Sequence, residues 1–325
     1  MLAKSNMQAE RQWLEWVRRA AERGRAPAPH LSLGIGDDAA VLRPRRGWEL
    51  VATTDLFVEG VHFLRARDRP ASCGRRLATR ALSDLAAMGS EPMALLVSSL
   101  VPKQLPSAWA RAFCRGVLAA AQEAGAALAG GDTATAGGRH GRIVFDVVGL
   151  GQVPRGRALL RSGARPGDRI YVSGRLGEAA LGRELVHRGL RAANAEQRQA
   201  RARHRHPRAR WELGEALRGR ASAAIDLSDG LATDLHHVCR ASGVGAEVVA
   251  ARLPSTANDP RWRRALFGGE DYELLFTLPR QQREPRVRDA AVAVTCIGRI
   301  TAAPGIHLVL ANGRRQPLPD AGYQH

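Results

Sequence analysis

Apolar and polar positions alternate along this chain with two periods, and the switches between them predict a mixture of helices and strands. Near the start, Trp13, Leu14 and Val17 share one side of a helical wheel flanked by Arg11, Glu15, Arg18 and Arg19, which predicts an amphipathic helix within residues 1–24. Glu49–Thr53 reads as a short strand, and Ser72–Met88 as a helix that stops at Gly89. Ala94–Leu100 is a strand held between Pro92 and Pro102; Ser107–Ala124 is a helix ended by Gly125; Ile143–Val153 is a long apolar strand. Pro154-Arg155-Gly156 is a turn signal. The domain boundary is placed there, giving an N-terminal domain of residues 1–153 and a C-terminal domain of residues 154–325. Beyond it, strands are expected at Arg169–Val172, Val244–Val249, Glu273–Thr277, Val292–Ile297 and Ile306–Leu310, and helices at Gly177–His187 and Leu231–Ala241. The order is not a strict strand–helix–strand alternation, so each half reads as α+β rather than doubly wound.

The chain has 325 residues, enough for two cores of ordinary size. No apolar run approaches the ~18 residues of a membrane span. Residues 1–24 lack the apolar stretch of a secretory signal, so a cytoplasmic location without membrane association is expected. The formal net charge of +18 is nearly all arginine, since lysine occurs only at Lys4 and Lys103. Arginine-biased codon usage accounts for this without a functional demand. The densest basic run, Arg201–Arg210, has no interleaved aromatic residue and no nucleic-acid-binding signature, and is expected to be a solvated loop. The cysteines, Cys73, Cys114, Cys239 and Cys296, form no C-x-x-C pair and read as reduced, mostly buried thiols.

Chemistry concentrates where aspartates stand beside glycine and hydroxyl residues: Gly34–Asp38, Thr53-Thr54-Asp55, Ser83-Asp84, Gly130–Thr133 and Asp226–Gly230. One Asp before a Gly is usually a turn former. Together the segments say more. Asp84 sits in an otherwise apolar helix, where an unpaired carboxylate is costly and calls for a cation. Magnesium, a hard ion held by a few carboxylates and by substrate phosphates, fits that demand, and the Thr53 and Thr54 hydroxyls offer further oxygens. A protein that brings two phosphate-bearing substrates together needs such ions, because their repulsion amounts to several kcal/mol even at an effective dielectric of ~20. No G-x-x-x-x-G-K-[ST] loop and no protein-kinase motif set is present.

The segments LGIGDDAAVL (33–42), TTDLFVEGVHF (53–63), ALSDLAAMGSEP (81–92), AGGDT (129–133), RALLRSGARPGD (157–168), AIDLSDGL (224–231) and GGEDYELLF (268–276), in this order, resemble the motifs of the thiamine-monophosphate kinase family, from about Leu31 to Tyr323. The resemblance implies two α/β-sandwich-like domains of the aminoimidazole-ribonucleotide-synthetase type, with the N-terminal halves joining in a dimeric barrel, hence a homodimer. It implies ATP as co-substrate, thiamine monophosphate as acceptor and several Mg2+ ions in the cleft with ATP. Carried over by position, the metal ligands are Asp38, Thr53, Thr54, Asp55, Asp84, Asp132, Asp226 and Asp229. Gly131, Asp132, Arg161 and Ser228 meet ATP; His62, Glu270 and Tyr323 meet the thiamine phosphate. Read without the family, His62 is equally a structural histidine, while Tyr323 is an aromatic able to stack on a cationic ring.

The expected reaction is direct transfer of the γ-phosphoryl group, with no covalent nucleophile on the protein. Another ATP-dependent enzyme of the same superfamily is the first alternative. No cysteine precedes Gly34, no lysine stands near that glycine segment, and the sequence as given does not end in the cysteine; two such relatives require these groups. A basic nucleic-acid-binding protein is the second, and it leaves the acidic segments unexplained.

Overall fold

A long helix, α1 (Leu2–Arg23), opens the computed structural model, which describes residues 2–23, 29–135, 141–255, 259, 262–282 and 292–322. Trp13 and Trp16 stack on it with centroids 5.5 Å apart, and the Arg111 guanidinium lies 5.6 Å from the Trp16 ring. The chain then divides into two units: Met1–Ala81 with Pro92–Gln152, and Leu82–Glu91 with Val153–His325. No helix among the described residues is long and apolar enough to cross a membrane.

The first unit contains a small ribbon, β1 (Leu31–Leu33) and β2 (Val41–Leu42), followed by β3 (Trp48–Val58), α2 (Pro70–Ala87), β4 (Glu91–Val101), α3 (Ser107–Glu123), β5 (Ala127–Thr135) and β6 (Val144–Pro154). The main sheet has the order β3-β6-β4-β5, with β4 and β5 parallel. Helix α2 starts on Pro70, whose missing N–H costs nothing at a first helical position. It stops at Gly89 (φ 65), where the Ser90 N–H returns to the Leu85 carbonyl. Phe57, Phe63, Trp109, Phe113 and Phe145 form an aromatic core, each ring within 6.5 Å of a neighbour.

Helices α2 and α3 cross at glycine. A Cβ on Gly116 would overlap the Ala71 carbonyl, and one on Gly74 the Phe113 carbonyl. Alanine at Gly116 gains up to ~1 kcal/mol of helix propensity. The contact is to backbone, which cannot swing aside, so the overpacking cost of about 1–3 kcal/mol wins. Gly116→Ala is expected to be destabilised in urea unfolding rather than stabilised.

The second unit contains β7 (Arg169–Ser173), α4 (Glu178–His187), α5 (Ala195–Arg205), α6 (Trp211–Leu217), β8 (Ala223–Asp226), α7 (Leu231–Ser242), β9 (Gly245–Val249), α8 (Arg263–Phe267), β10 (Leu274–Leu278), β11 (Val294–Thr301), β12 (Ile306–Val309) and β13 (Arg315–Pro317). Its sheet runs β13-β12-β9-β11-β7-β10-β8, antiparallel except for the β9–β12 pair. Ile170, Val172, Ile225, Leu235, Val238, Val248 and Leu275 belong to the core under it. The segment Leu82–Glu91 joins this unit because Gly214 packs without a side chain on the Ala86 carbonyl, and Leu159 donates to the Met88 carbonyl at 3.0 Å.

Arg201–Arg210 is not a solvated loop. It is the end of α5 and the approach to α6. His204 and Arg210 are buried, Arg203 lies 3.4 Å from Glu178, and Arg210 forks onto Glu273, with its Nε 2.7 Å from Oε2. Glu178 and Glu273 are themselves buried, and a buried carboxylate requires such a partner. The expected thiol burial holds for Cys73, Cys114 and Cys239, with Cys296 half-buried; burial pushes the Cys114 thiol up to about 12.

Candidate functional site

In the second unit the pairing of β8 with β10 builds the richest cluster. Asp226 closes β8 opposite Leu274. The next turn, Leu227 to Gly230, is zipped to the segment before β10: Leu227 N–H to Glu273 O at 2.8 Å, Tyr272 N–H to Leu227 O at 2.9 Å and Glu270 N–H to Ser228 O at 2.9 Å. This pairing holds Glu270 and Tyr272 in the left-handed region, at φ 69 and 51. Side chains pay about 1–3 kcal/mol for such backbone, which persists only where the surroundings fix it. They do: Asp271 accepts from the Gly177 and Ala179 N–H groups at the start of α4, and Glu273 accepts from Ser173 and Arg210. Burial, above all, raises the Asp271 carboxyl to about 8.

Three carboxylates crowd this turn. Asp226 and Asp234 are buried and Asp229 is half-buried. Asp234, from the first turn of α7, accepts the N–H groups of Asp229 and Gly230 at 3.2 and 3.1 Å. Burial first, then the charges of Asp226 and Asp229, push its carboxyl up to about 9. Ser83 donates to Asp226 Oδ2 at 2.8 Å, which brings the α2 turn carrying Asp84 to the same place. The donors are all oxygen, which a hard divalent ion such as Mg2+ takes, but among the described residues no three carboxylates of this turn bring ligand atoms within 4.8 Å of one another. Glu270 is buried, with Oε2 3.8 Å from His204 Nδ1.

Asp320 and Gly322 reach this cluster too. The Gly322 N–H donates to Thr233 Oγ1 at 2.9 Å, and Thr233 donates to Asp320 at 2.8 Å. That hydroxyl is the main cause of a lowered Asp320 carboxyl. A Cβ at Gly322 would overlap Thr233 and the Asp229 carbonyl. Tyr323 lies outside the described residues. Arg161 is exposed; its carbonyl accepts from Ser242 at 3.3 Å, and its neighbour Leu160 accepts the N–H of Ala224 in β8.

The remaining candidates lie in the first unit. Asp38 is exposed after a turn in which its N–H meets Asp37 Oδ1 at 2.9 Å. Successive strand residues face opposite ways. On β3, Thr53 and Asp55 share the face of Phe57, and Asp55 lies 3.4 Å from Arg80. Thr54 points the other way and donates to Asp146 at 2.7 Å, so the two threonine hydroxyls do not meet at one point. Asp132 is exposed on β5, beside Ser98 of β4 and at the sheet edge opposite β3. Its neighbour Gly131 passes so close to Val97 that a Cβ would overlap the carbonyl. His62 is buried and stacks on Phe57; its Nδ1 accepts the Val58 N–H at 2.9 Å, which places the proton of a neutral ring on Nε2.

Asp234, Thr233 and Arg80 were not among the residues singled out from sequence, and Ser83 and Arg210 were named there only as parts of an acidic segment and a basic run. Ser83 adjoins a candidate, and Asp234 follows Gly230 by one helical turn, but neither spacing announces the bond each makes.

Residues 36–153 match the family described as AIR synthase related protein, N-terminal domain, and residues 165–311 its C-terminal domain. A thiamine-monophosphate kinase of Escherichia coli (strain K12) is 38% identical over 322 residues, covering 95% of this chain and 96% of the relative. The crystal structure of thiamine-monophosphate kinase from Stenotrophomonas maltophilia K279a is similar at TM-score 0.79 and 37% identity, over 92% of this chain and 95% of that one. A structure of AaThiL complexed with AMPPCP and TMP is similar at TM-score 0.75 and 31% identity, over 88% of this chain and 90% of that one.

Proposed function

The chain belongs to the thiamine-monophosphate kinase family, and on that footing we propose that it transfers the γ-phosphoryl group of ATP directly to the phosphate of thiamine monophosphate, giving thiamine diphosphate and ADP. The observation that supports this best is the cluster in the second unit, where Asp226, Asp229, the Ser83-Asp84 turn, Glu270 and Gly322 are tied together by hydrogen bonds and close packing.

In this reading Asp84, Asp226 and Asp229 hold Mg2+ in the second unit; in the first, Thr53 with Asp55 on β3, Asp38, and Asp132 at the opposite sheet edge are separate oxygen donors for it. Thr54, facing away from Thr53 and Asp55, shares no ion with them through its hydroxyl. Bound Mg2+ supplies charge neutralisation between the two anionic substrates. The chain itself positions them. By position in the sequence, Gly131 and Asp132 of the first unit, and Arg161 and Ser228 of the second, are assigned to ATP. On the same basis, His62 of the first unit, with Nε2–H to offer an anionic oxygen, and Glu270 of the second, with its carboxylate, are assigned to the thiamine phosphate. A phosphate monoester has its second pKa near ~6 and is largely a dianion at pH 7, so no general base is needed. An acceptor phosphate oxygen bonds to the γ-phosphorus as the bridging β–γ bond breaks, and ADP leaves with that electron pair. Catalysis is positioning and charge compensation. Use of ATP accords with the cytoplasmic location expected from the sequence.

The test is product identity. Thiamine diphosphate and ADP should form in equal amounts, and a rapid acid quench should trap no phosphoprotein. ADP formation without thiamine diphosphate, or a phosphorylated chain on the path, would exclude direct transfer.

We also assign a homodimer, formed through the first unit. Leu50 and Leu56 are 59% and 56% exposed on the outward side of β3, and Leu100 is 39% exposed on β4. Apolar side chains gathered on one open sheet face favour a covering partner, and a second copy joining the sheets as a barrel supplies it. Leu56→Asp is expected to halve the mass measured by light scattering; an unchanged dimer would move the interface elsewhere.

A further inference from the structure

Two side chains outside the proposed ligand set fix the loop that carries Asp226 and Asp229. Ser83 is fully buried in α2, where a serine ordinarily returns its hydroxyl to a carbonyl of its own helix. Here it donates instead to the Asp226 carboxylate, 143 residues later, at 2.8 Å. A carboxylate is free to turn about its last side-chain torsion, whose energy profile is broad. One charge-assisted hydrogen bond to Oδ2 sets the plane in which Asp226 stands. The same bond ties the α2 turn bearing Asp84 to the end of β8.

Asp234 acts on the other end of the loop. Its Oδ2 gathers the N–H groups of Asp229 and Gly230, while its own N–H donates to the Gly230 carbonyl at 3.1 Å. Gly230 (φ 108) sits so close to Gly268 and Phe267 that the turn has no slack on that side. The orientation of one candidate ligand is therefore set through its carboxylate, and that of the other through its backbone.

We infer that Ser83 and Asp234 are positioning residues that hold Asp226 and Asp229 in the arrangement that binds a divalent cation. The inference rests on the ligand reading proposed above and extends it to the residues behind the ligands. Partners of this kind are worth about 10–100-fold in metal affinity.

The experiment counts bound Mn2+ by electron paramagnetic resonance on the full chain without nucleotide, with thermal melting of each variant alongside. Ser83→Ala and Asp234→Ala are expected to weaken Mn2+ binding about 10–100-fold. Asp234→Asn keeps an acceptor oxygen for both N–H groups and is expected to bind within about threefold of the parent, a rescue that a requirement for charge would not give. Unchanged Mn2+ affinity in Ser83→Ala and Asp234→Ala overturns the inference, even if their melting temperatures fall. Asp226→Asn separates the two layers. If it weakens Mn2+ binding while Ser83→Ala does not, the ligand reading stands and the positioning role falls. If neither weakens it, both fall. Should Asp234→Ala fail to fold, Ser83→Ala decides.

Discussion

Asp226→Asn is expected to lower kcat by about 10²–10³-fold at saturating ATP and thiamine monophosphate, the range seen when one preorganised electrostatic group is lost from a site. The substitution is isosteric, and the amide oxygen still accepts from Ser83, so the bond at 2.8 Å that anchors the loop survives. What goes is one negative charge. In the folded chain that charge is a cost as well as an asset, since it contributes to driving the neighbouring Asp234 carboxyl up to about 9. The melting temperature should therefore hold or rise while turnover collapses, and added Mg2+ should restore part of the rate. A variant that turns over within twofold of the parent at limiting Mg2+ would remove Asp226 from the ligand set. Asp55 is a harder case, because it already faces Arg80 at 3.4 Å; its substitution mixes a lost ligand with a lost ion pair.

Arg210→Met should destabilise the chain by about 3–5 kcal/mol, the usual cost of removing one partner of a buried pair. Glu273 is 2% exposed, and Arg210 and Ser173 both donate to it. Without the guanidinium its carboxylate is buried with one hydroxyl donor in place of a charge-matched fork. The damage reaches the candidate site, because the Glu273 carbonyl accepts the Leu227 N–H and follows the strained Glu270–Tyr272 backbone. Replacing both members with apolar residues should return most of the stability, since a well-packed apolar pair often equals a buried ion pair. Urea unfolding of the two single variants and the double variant measures this. Equal destabilisation in the double variant would mean that packing, not uncompensated charge, is at stake.

The same pair shows where sequence reading ran out. Helices α2, α3 and α7 carry apolar stripes and end at Gly89, Gly125 and Gly243, so their extents are legible to within a few residues. Helix α5 has no such stripe: only Ala200 and His204 are buried on it, and its arginines hide a good start signal, Asn194 accepting the Gln197 N–H at 2.9 Å. Strand β3 runs past its expected end because its inward positions include Thr53 and Asp55, which break the apolar alternation. Strand β5 was not among the expected strands, since Gly130-Gly131 interrupts its apolar run, yet Gly131 is there because β4 comes too close for a side chain. The aspartates were found as motifs. Their partners were not, because these are an arginine at Asp55 and a serine at Asp226, both far off in the sequence. Long-range bonds of that kind leave no spacing to read.

The central claim is that these carboxylates hold divalent ions so that one phosphate can attack another. The most direct measurement is ADP release by the purified chain, with and without thiamine monophosphate, in Mg2+ and again after chelation. The account predicts rapid release only when acceptor and Mg2+ are both present, with one thiamine diphosphate formed per ADP. Release that ignores the acceptor, or that continues undiminished once divalent ions are removed, would contradict it.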